Sequence, residues 1–228
     1  MQFLIIVILI CFFFFLFVLH FLSRDDFVLL RKDISTEKVF NIAFAALPIS
    51  LFFGRALYVI NNPSSNFLNP LYFLLFPYFP GLSLIGAILG TSLFLYIIFR
   101  SKKMPIERLL DLFTFSLSAV MPLAVVGYFA LNRNIFSWVF LFIILSYVAI
   151  FIFNFVFFLP RFLKGRIKEG SVSLVFLFCV CAFSLLGEII SKKIIFNTEN
   201  IVYLIVLLVS LGLYIKREDL ISKLFPKK

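Results

Sequence analysis

The sequence predicts an all-α bundle of seven transmembrane helices, with the N-terminus outside and the C-terminus in the cytoplasm. Three observations carry that prediction: an apolar excess, seven stretches of spanning length, and basic loops that alternate along the chain. Of the 228 residues 63% are hydrophobic, 35 are phenylalanine, and the mean hydropathy is +1.14. Soluble domains hold about 45–50% apolar residues. A helix needs about 20 consecutive apolar residues to cross a bilayer. Segments 2–22, 39–60, 71–99, 109–131, 135–160, 172–190 and 200–215 reach or approach that length. The connections are too short for a soluble domain, so residues 1–228 read as a single transmembrane domain.

Segment 2–22 has no basic lead and no A-x-A-like site, and it outruns a signal-peptide core, so it reads as a membrane helix. Ser35, followed by Thr36 and Glu37, is a candidate cap for the second helix. In the long third segment Pro77 and Pro80 separate a leading stretch from a helix that begins near Gly81. Asn69-Pro70 and Met104-Pro105 place proline where a first helical turn accepts it. Runs such as FFFFLF show no spacing that selects a face, and phenylalanine reads as apolar filler. Cys11, Cys179 and Cys181 form neither a disulfide framework nor a metal site and read as buried free thiols. No metal or cofactor is expected.

A formal charge of +10 could point to nucleic acid, but its placement points to a membrane. Loop 23–38 holds Arg24, Arg31, Lys32 and Lys38; loop 100–108 holds Arg100, Lys102, Lys103 and Arg108. Loop 161–170 holds Arg161, Lys164, Arg166 and Lys168, and the tail holds Lys216, Arg217, Lys223, Lys227 and Lys228. The intervening connections hold only Arg133, Lys192 and Lys193. This alternation is what the positive-inside rule demands of seven correctly drawn helices. Nucleic-acid binding is not needed to explain the charge. No inverted half-repeat is visible, which argues against a secondary transporter.

The ionisable residues within the spans are His20, Arg55, Asp111 and Glu188. His20 and Asp111 lie close enough to cytoplasmic helix ends to reach the interface, and Asp111 near a helix N-terminus gains from the macrodipole. Arg55 is different, because an arginine at a helix centre costs about 2.5–3.5 kcal/mol on insertion scales. Arg55 and Glu188 both lie sixteen residues into their helices, about 24 Å at 1.5 Å per residue. Opposite charges at one depth in hydrocarbon are expected to pair or to face a polar cavity. Tyr58, three residues after Arg55, shares its face. Gly54 allows close helix approach, and Gly86 and Gly90 make a small-xxx-small packing face.

"FFGRALYVINNP" resembles the G-[GA]-R-x-G-Y-V segment of prolipoprotein diacylglyceryl transferases. Upstream, "LLRKDISTEKVFNIAFAALPIS" is similar to the basic loop and helix start that precede this motif. Downstream, "NNPSSNFLNPLYFLLFPYFPGLSLIGAILG" resembles the family's N-P…GG-[LM]-S-F-H-G-G-L-I-G stretch. "SKKMPIERLLDLFTFSLSAVMPLAVVGYF" is similar to the D-x-x-A-P helix and the G-R-x-G-N-F signature, and "CAFSLLGEIISKK" to R-F-x-x-E-x-x-R. The resemblance implies seven helices and transfer of a diacylglyceryl group from phosphatidylglycerol to a lipoprotein cysteine. It also implies a lipid-phosphate site at Arg55 and Tyr58, support from Glu188 and Asp111, and helix packing at Gly54, Gly86, Gly90 and Gly127.

The departures fall where the family's chemistry lies. Ile85 stands at the family's histidine, Val125 at the arginine of G-R-x-G-N, Tyr128 at its asparagine and Arg133 at the following glutamate. Ser184 and Ser191 stand at the two arginines that flank the position of Glu188. Activating a thiol calls for a general base, and a departing glycerol phosphate calls for nearby cations. Three readings stay open. The chain is a catalytically degenerate member that binds a phosphatidylglycerol-like phospholipid or a lipoprotein signal helix in the inner membrane. Alternatively it is a divergent active transferase that uses Arg55, Tyr58 and Glu188, or a structural or transport-related protein on the same scaffold. A polar cavity with Arg55 at its mouth would favour the first two, and a dry, packed interior the third.

Overall fold

The computed structural model describes residues 2–63, 67, 73, 81–131, 138–190 and 198–218. In chain order the helices are α1 (Gln2–Arg24), α2 (Phe27–Arg31), α3 (Thr36–Asn61), α4 (Leu84–Ser101), α5 (Ile106–Leu131) and α6 (Trp138–Phe153). A π turn (Asn154–Phe158) joins α6 to the short α7 (Leu159–Leu163), and α8 (Ser171–Ile190) and α9 (Thr198–Arg217) follow. Seven segments are long and apolar enough to cross a membrane, with α6, the π turn and α7 forming one of them. The described residues are mostly helical and contain no strand. Asn69-Pro70, Pro77, Pro80, Arg133 and Ser191 lie outside the described residues, as does the leading part of the third predicted span.

Local chemistry accounts for the helix starts. The Ser35 hydroxyl accepts the Lys38 amide, the cap expected for α3. Ser83 accepts the Gly86 amide 3.4 Å away and starts α4. The loop expected at 23–38 folds in part as α2, because the Asp26 carboxylate accepts from Val28 and Leu29 at 3.0 and 3.2 Å.

The bundle is organised around α5, of which 67% is buried over its most apolar window, against 11–33% for the other spans. Its hydroxyls turn onto its own backbone: Ser116 donates to Leu112 O and Ser118 to Phe115 O, which satisfies them without a partner helix. Between lipid-exposed helices, association rests on close van der Waals contact at small residues. A Cβ at Gly86 would lie 2.7 Å from Leu57 Cβ and 2.8 Å from Phe53 O, and one at Gly90 would enter the Phe53 ring. These glycines set the α3–α4 contact. A Cβ at Gly127 would collide with Val7, which sets how closely α5 approaches α1. Cys181 is buried as expected, but Cys11 and Cys179 are only partly covered; all three are free. They lie on helices whose outer faces are open to lipid, so their side chains cannot all turn inward.

At the end of the bundle that carries the basic loops, two buried carboxylates tie helices together. Arg108 on α5 bonds Asp26 through Nε at 2.9 Å and Nη2 at 2.7 Å, and its guanidinium lies 3.6 Å from the Phe162 ring centroid. Asp111, fully buried one turn further along α5, accepts from Gly170 N at 2.6 Å and Ser173 N at 2.9 Å. Gly170 sits at the cap position of α8 and has no side chain to offer. Asp111 therefore supplies the capping oxygen from another helix. Its macrodipole role is served at α8 rather than at its own helix start.

Candidate functional site

Arg55 is 2% exposed. Its Nη1 donates to Gly81 O at 2.8 Å, and its guanidinium lies 5.5 Å from the Tyr58 ring and 4.9 Å from the Phe67 ring. The arginine and tyrosine expected to share a face do so. Gly81 has φ +149°, and a Cβ there would enter the Tyr58 ring, so glycine is required at this turn. The next residues are held as firmly. Ser83 N donates to Gly54 O at 2.9 Å, and Ser83 Oγ donates to Glu199 Oε1 on α9 at 2.5 Å. A Cβ on Gly54 would come within 3.2 Å of Ala87 Cβ and Ser83 O, so glycine on α3 favours this close approach.

Leu82 and Leu84, the neighbours of Ser83, face a cleft of about 810 Å³ bounded by α5, α6 and α8. Its walls are largely apolar, with Met121, Ile143 and Phe183 among them, and its polar groups are Tyr128, Ser146, Tyr147, Ser184 and Glu188. Val125 also lines it. Four positions singled out by comparison with family motifs, Val125, Tyr128, Ser184 and Glu188, are thus brought to one cavity by two helices distant in sequence. Ile85 is buried directly behind the wall, packed with Cys181 and Tyr203. The Ser184 hydroxyl stands against the phenols of Tyr147 on α6 and Tyr203 on α9. Ser146 bonds back to Phe142 O at 2.8 Å, which leaves its oxygen able to accept from the cleft.

Among the contacts of the described residues, the expected Arg55–Glu188 ion pair is not found, and the two side chains have different neighbours. Arg55 meets a carbonyl and two rings beside α4, whereas Glu188 stands on the α8 wall of the cleft. Equal depth is not enough, because the rotation of each helix decides which neighbour a side chain meets. Arg55 is not among the residues that line the cleft; it adjoins the wall through its bond to Gly81, the neighbour of Leu82. Asp111 lies away from the cleft and supports it by capping α8, the helix that carries Ser184 and Glu188. His20 packs beside Phe40, ring centroids 5.7 Å apart, outside the cleft.

Sequence reading missed Ser83 and Glu199. Glu199 lies in the first turn of α9, where an acid complements the helix dipole and draws no attention. Ser83 lies just before the Gly86–Gly90 packing face, which drew the attention instead. A second groove, about 300 Å³ between α3 and α4, is lined by Pro48, Phe52, Phe53, Gly90 and other apolar residues, and offers no polar group for recognition.

A family model described as prolipoprotein diacylglyceryl transferase matches residues 4–137. The match covers Arg55, Ser83, Asp111, Val125 and Tyr128, and it ends before α6. Comparison with curated proteins and with solved structures gives no match.

Proposed function

The chain belongs to the prolipoprotein diacylglyceryl transferase family, and on that premise we propose that it binds a phosphatidylglycerol-like phospholipid, or the signal helix of a lipoprotein, without transferring the diacylglyceryl group. It is a multi-pass membrane protein, and we assign it to the inner membrane with its basic loops in the cytoplasm, because its loop charges alternate as the positive-inside rule requires.

The observation that carries the reading is the cleft. An apolar cavity of about 810 Å³ with a few polar groups fits the kind of site that holds a largely apolar ligand by one polar end. Acyl chains or an apolar helix would lie along Met121, Ile143 and Phe183. The headgroup or a backbone polar group would meet Tyr128, Tyr147, Ser184 and Glu188. The absence of turnover is read from chemistry: among the described lining residues there is no histidine and no arginine, and Val125 and Ser184 stand where the family resemblance leads one to expect cations. Arg55 and Tyr58 serve this site by holding Gly81 and the adjoining wall, and Asp111 by fixing α8.

Two experiments test this. A photoreactive phosphatidylglycerol incorporated with the purified chain in nanodiscs should label residues near Tyr128 and Ser184; labelling spread evenly over the lipid-facing helices would remove the cleft as the site. Expression in a transferase-depleted bacterium should fail to restore lipoprotein maturation. Restoration that Glu188→Ala abolishes would establish a divergent active transferase instead.

A further inference from the structure

We infer that Ser83 and Glu199 form a positioning pair that sets the α4 wall of the cleft, with Glu199 as the residue through which α9 controls ligand affinity. The inference rests on the lipid reading of the cleft for its ligand but not for its geometry.

The turn that carries Leu82 is held at three points by three different kinds of group. Arg55 holds Gly81 O at 2.8 Å, the Gly54 carbonyl holds Ser83 N at 2.9 Å, and Glu199 holds Ser83 Oγ at 2.5 Å. The first two ties come from one helix, α3, and share its movement. The third comes from α9 and is the only one of the three that fixes the turn against a separate element. A hydroxyl bonded to a carboxylate at that distance is charge-assisted and stronger than a neutral pair. Ser83 is 2% exposed, so little water competes for the bond. Leu82 and Leu84 flank Ser83 and face the cleft, so any rotation of Ser83 moves both wall residues. One turn after Glu199, on the same face of α9, Tyr203 stands against Ser184 on the opposite wall. The α9 helix thus touches both sides of the cavity from behind, at Ser83 through a carboxylate and at Ser184 through a phenol.

The test uses the full chain in phosphatidylcholine nanodiscs, with fluorescently labelled phosphatidylglycerol as the probe. Glu199→Ala and Ser83→Ala should each raise Kd about tenfold, as expected for one charge-assisted hydrogen bond. The double variant should also show about tenfold, because both changes remove the same bond. Glu199→Gln, whose amide oxygen still accepts from Ser83, should recover most of the affinity. A second readout needs no lipid. With the three native cysteines replaced by alanine, a thiol introduced by Leu82→Cys (Leu82 is 39% exposed) should change its maleimide alkylation rate severalfold on Glu199→Ala and return on Glu199→Gln. An unchanged alkylation rate overturns the pair, as does a double variant near a hundredfold or a Glu199→Gln equal to Glu199→Ala. If the wild type binds no labelled lipid while the alkylation rates behave as expected, the lipid reading fails and the positioning pair stands.

Discussion

Replacing Asp111 with leucine removes both acceptors from the start of α8. Asp111 is fully buried, and its two oxygens take Gly170 N at 2.6 Å and Ser173 N at 2.9 Å. Leucine has similar bulk and accepts neither. A buried amide left without a partner costs about 1–3 kcal/mol; Gly170 N carries that cost and the part-buried Ser173 N a smaller one, roughly 2–4 kcal/mol together. Loss of a negative charge at a helix N-terminus adds roughly 0.3–2 kcal/mol. Asp111→Asn keeps one oxygen as an acceptor and turns an NH₂ toward the other amide, so about half that cost is expected. The turn itself would persist, since Ser173 Oγ still bonds Gly170 O at 2.9 Å, and the loss should appear as weakened docking of α8 on α5. Unfolding free energy of the purified chain, from dodecyl sulfate titration in mixed micelles, measures it. A leucine variant within about 1 kcal/mol of wild type would refute the capping argument, and so would an asparagine variant as damaged as the leucine one.

Two further outcomes follow from the packing. Arg108→Met leaves the Asp26 carboxylate buried with only its α2 amides, and breaking a buried pair costs about 3–5 kcal/mol; adding Asp26→Asn should return a good part of that loss, which the same titration would detect as non-additivity. Gly90→Leu drives a side chain into Phe53 across the α3–α4 contact; overpacking of this kind costs about 1–3 kcal/mol. A leucine at Gly212, where a Cβ meets nothing within 4 Å, should be neutral in comparison.

Much of the architecture was legible in one dimension. Apolar length marks a span whatever surrounds it, and six of the seven predicted segments match described helices to within a few residues at each end. The Ser35 cap and the Gly86–Gly90 packing face are likewise local patterns, each needing only its own helix and the next. Val125, Tyr128 and Ser184, noted in the sequence only as departures from the family motifs, line the cleft together with Glu188, a convergence that the motifs did not announce. Other features depend on how helices are rotated and ordered in the bundle. Depth in the membrane could be counted for Arg55 and Glu188, but which neighbour each faces could not. Arg108 read as one more charge in a basic loop, yet it is buried on Asp26. Glu199 drew no reading from the sequence, yet it holds the turn beside the cleft.

The sequence by itself determined that this chain has seven segments able to cross a membrane, because spanning length and apolar content are properties of single segments. It also singled out Arg55 as a cation inside a span that must find polar or aromatic company, because a lone charge in hydrocarbon is costly whichever helix supplies its neighbours. Only the tertiary structure decided what Arg55 touches, that Asp111 caps a helix other than its own, and that Ser83 meets Glu199. Those contacts join residues 26, 59 and 116 positions apart, and hydrogen bonds reach about 3 Å. A pattern along the chain specifies which side chains need a partner. Helix rotation, set by glycine contacts and buried caps, selects the partner each one obtains.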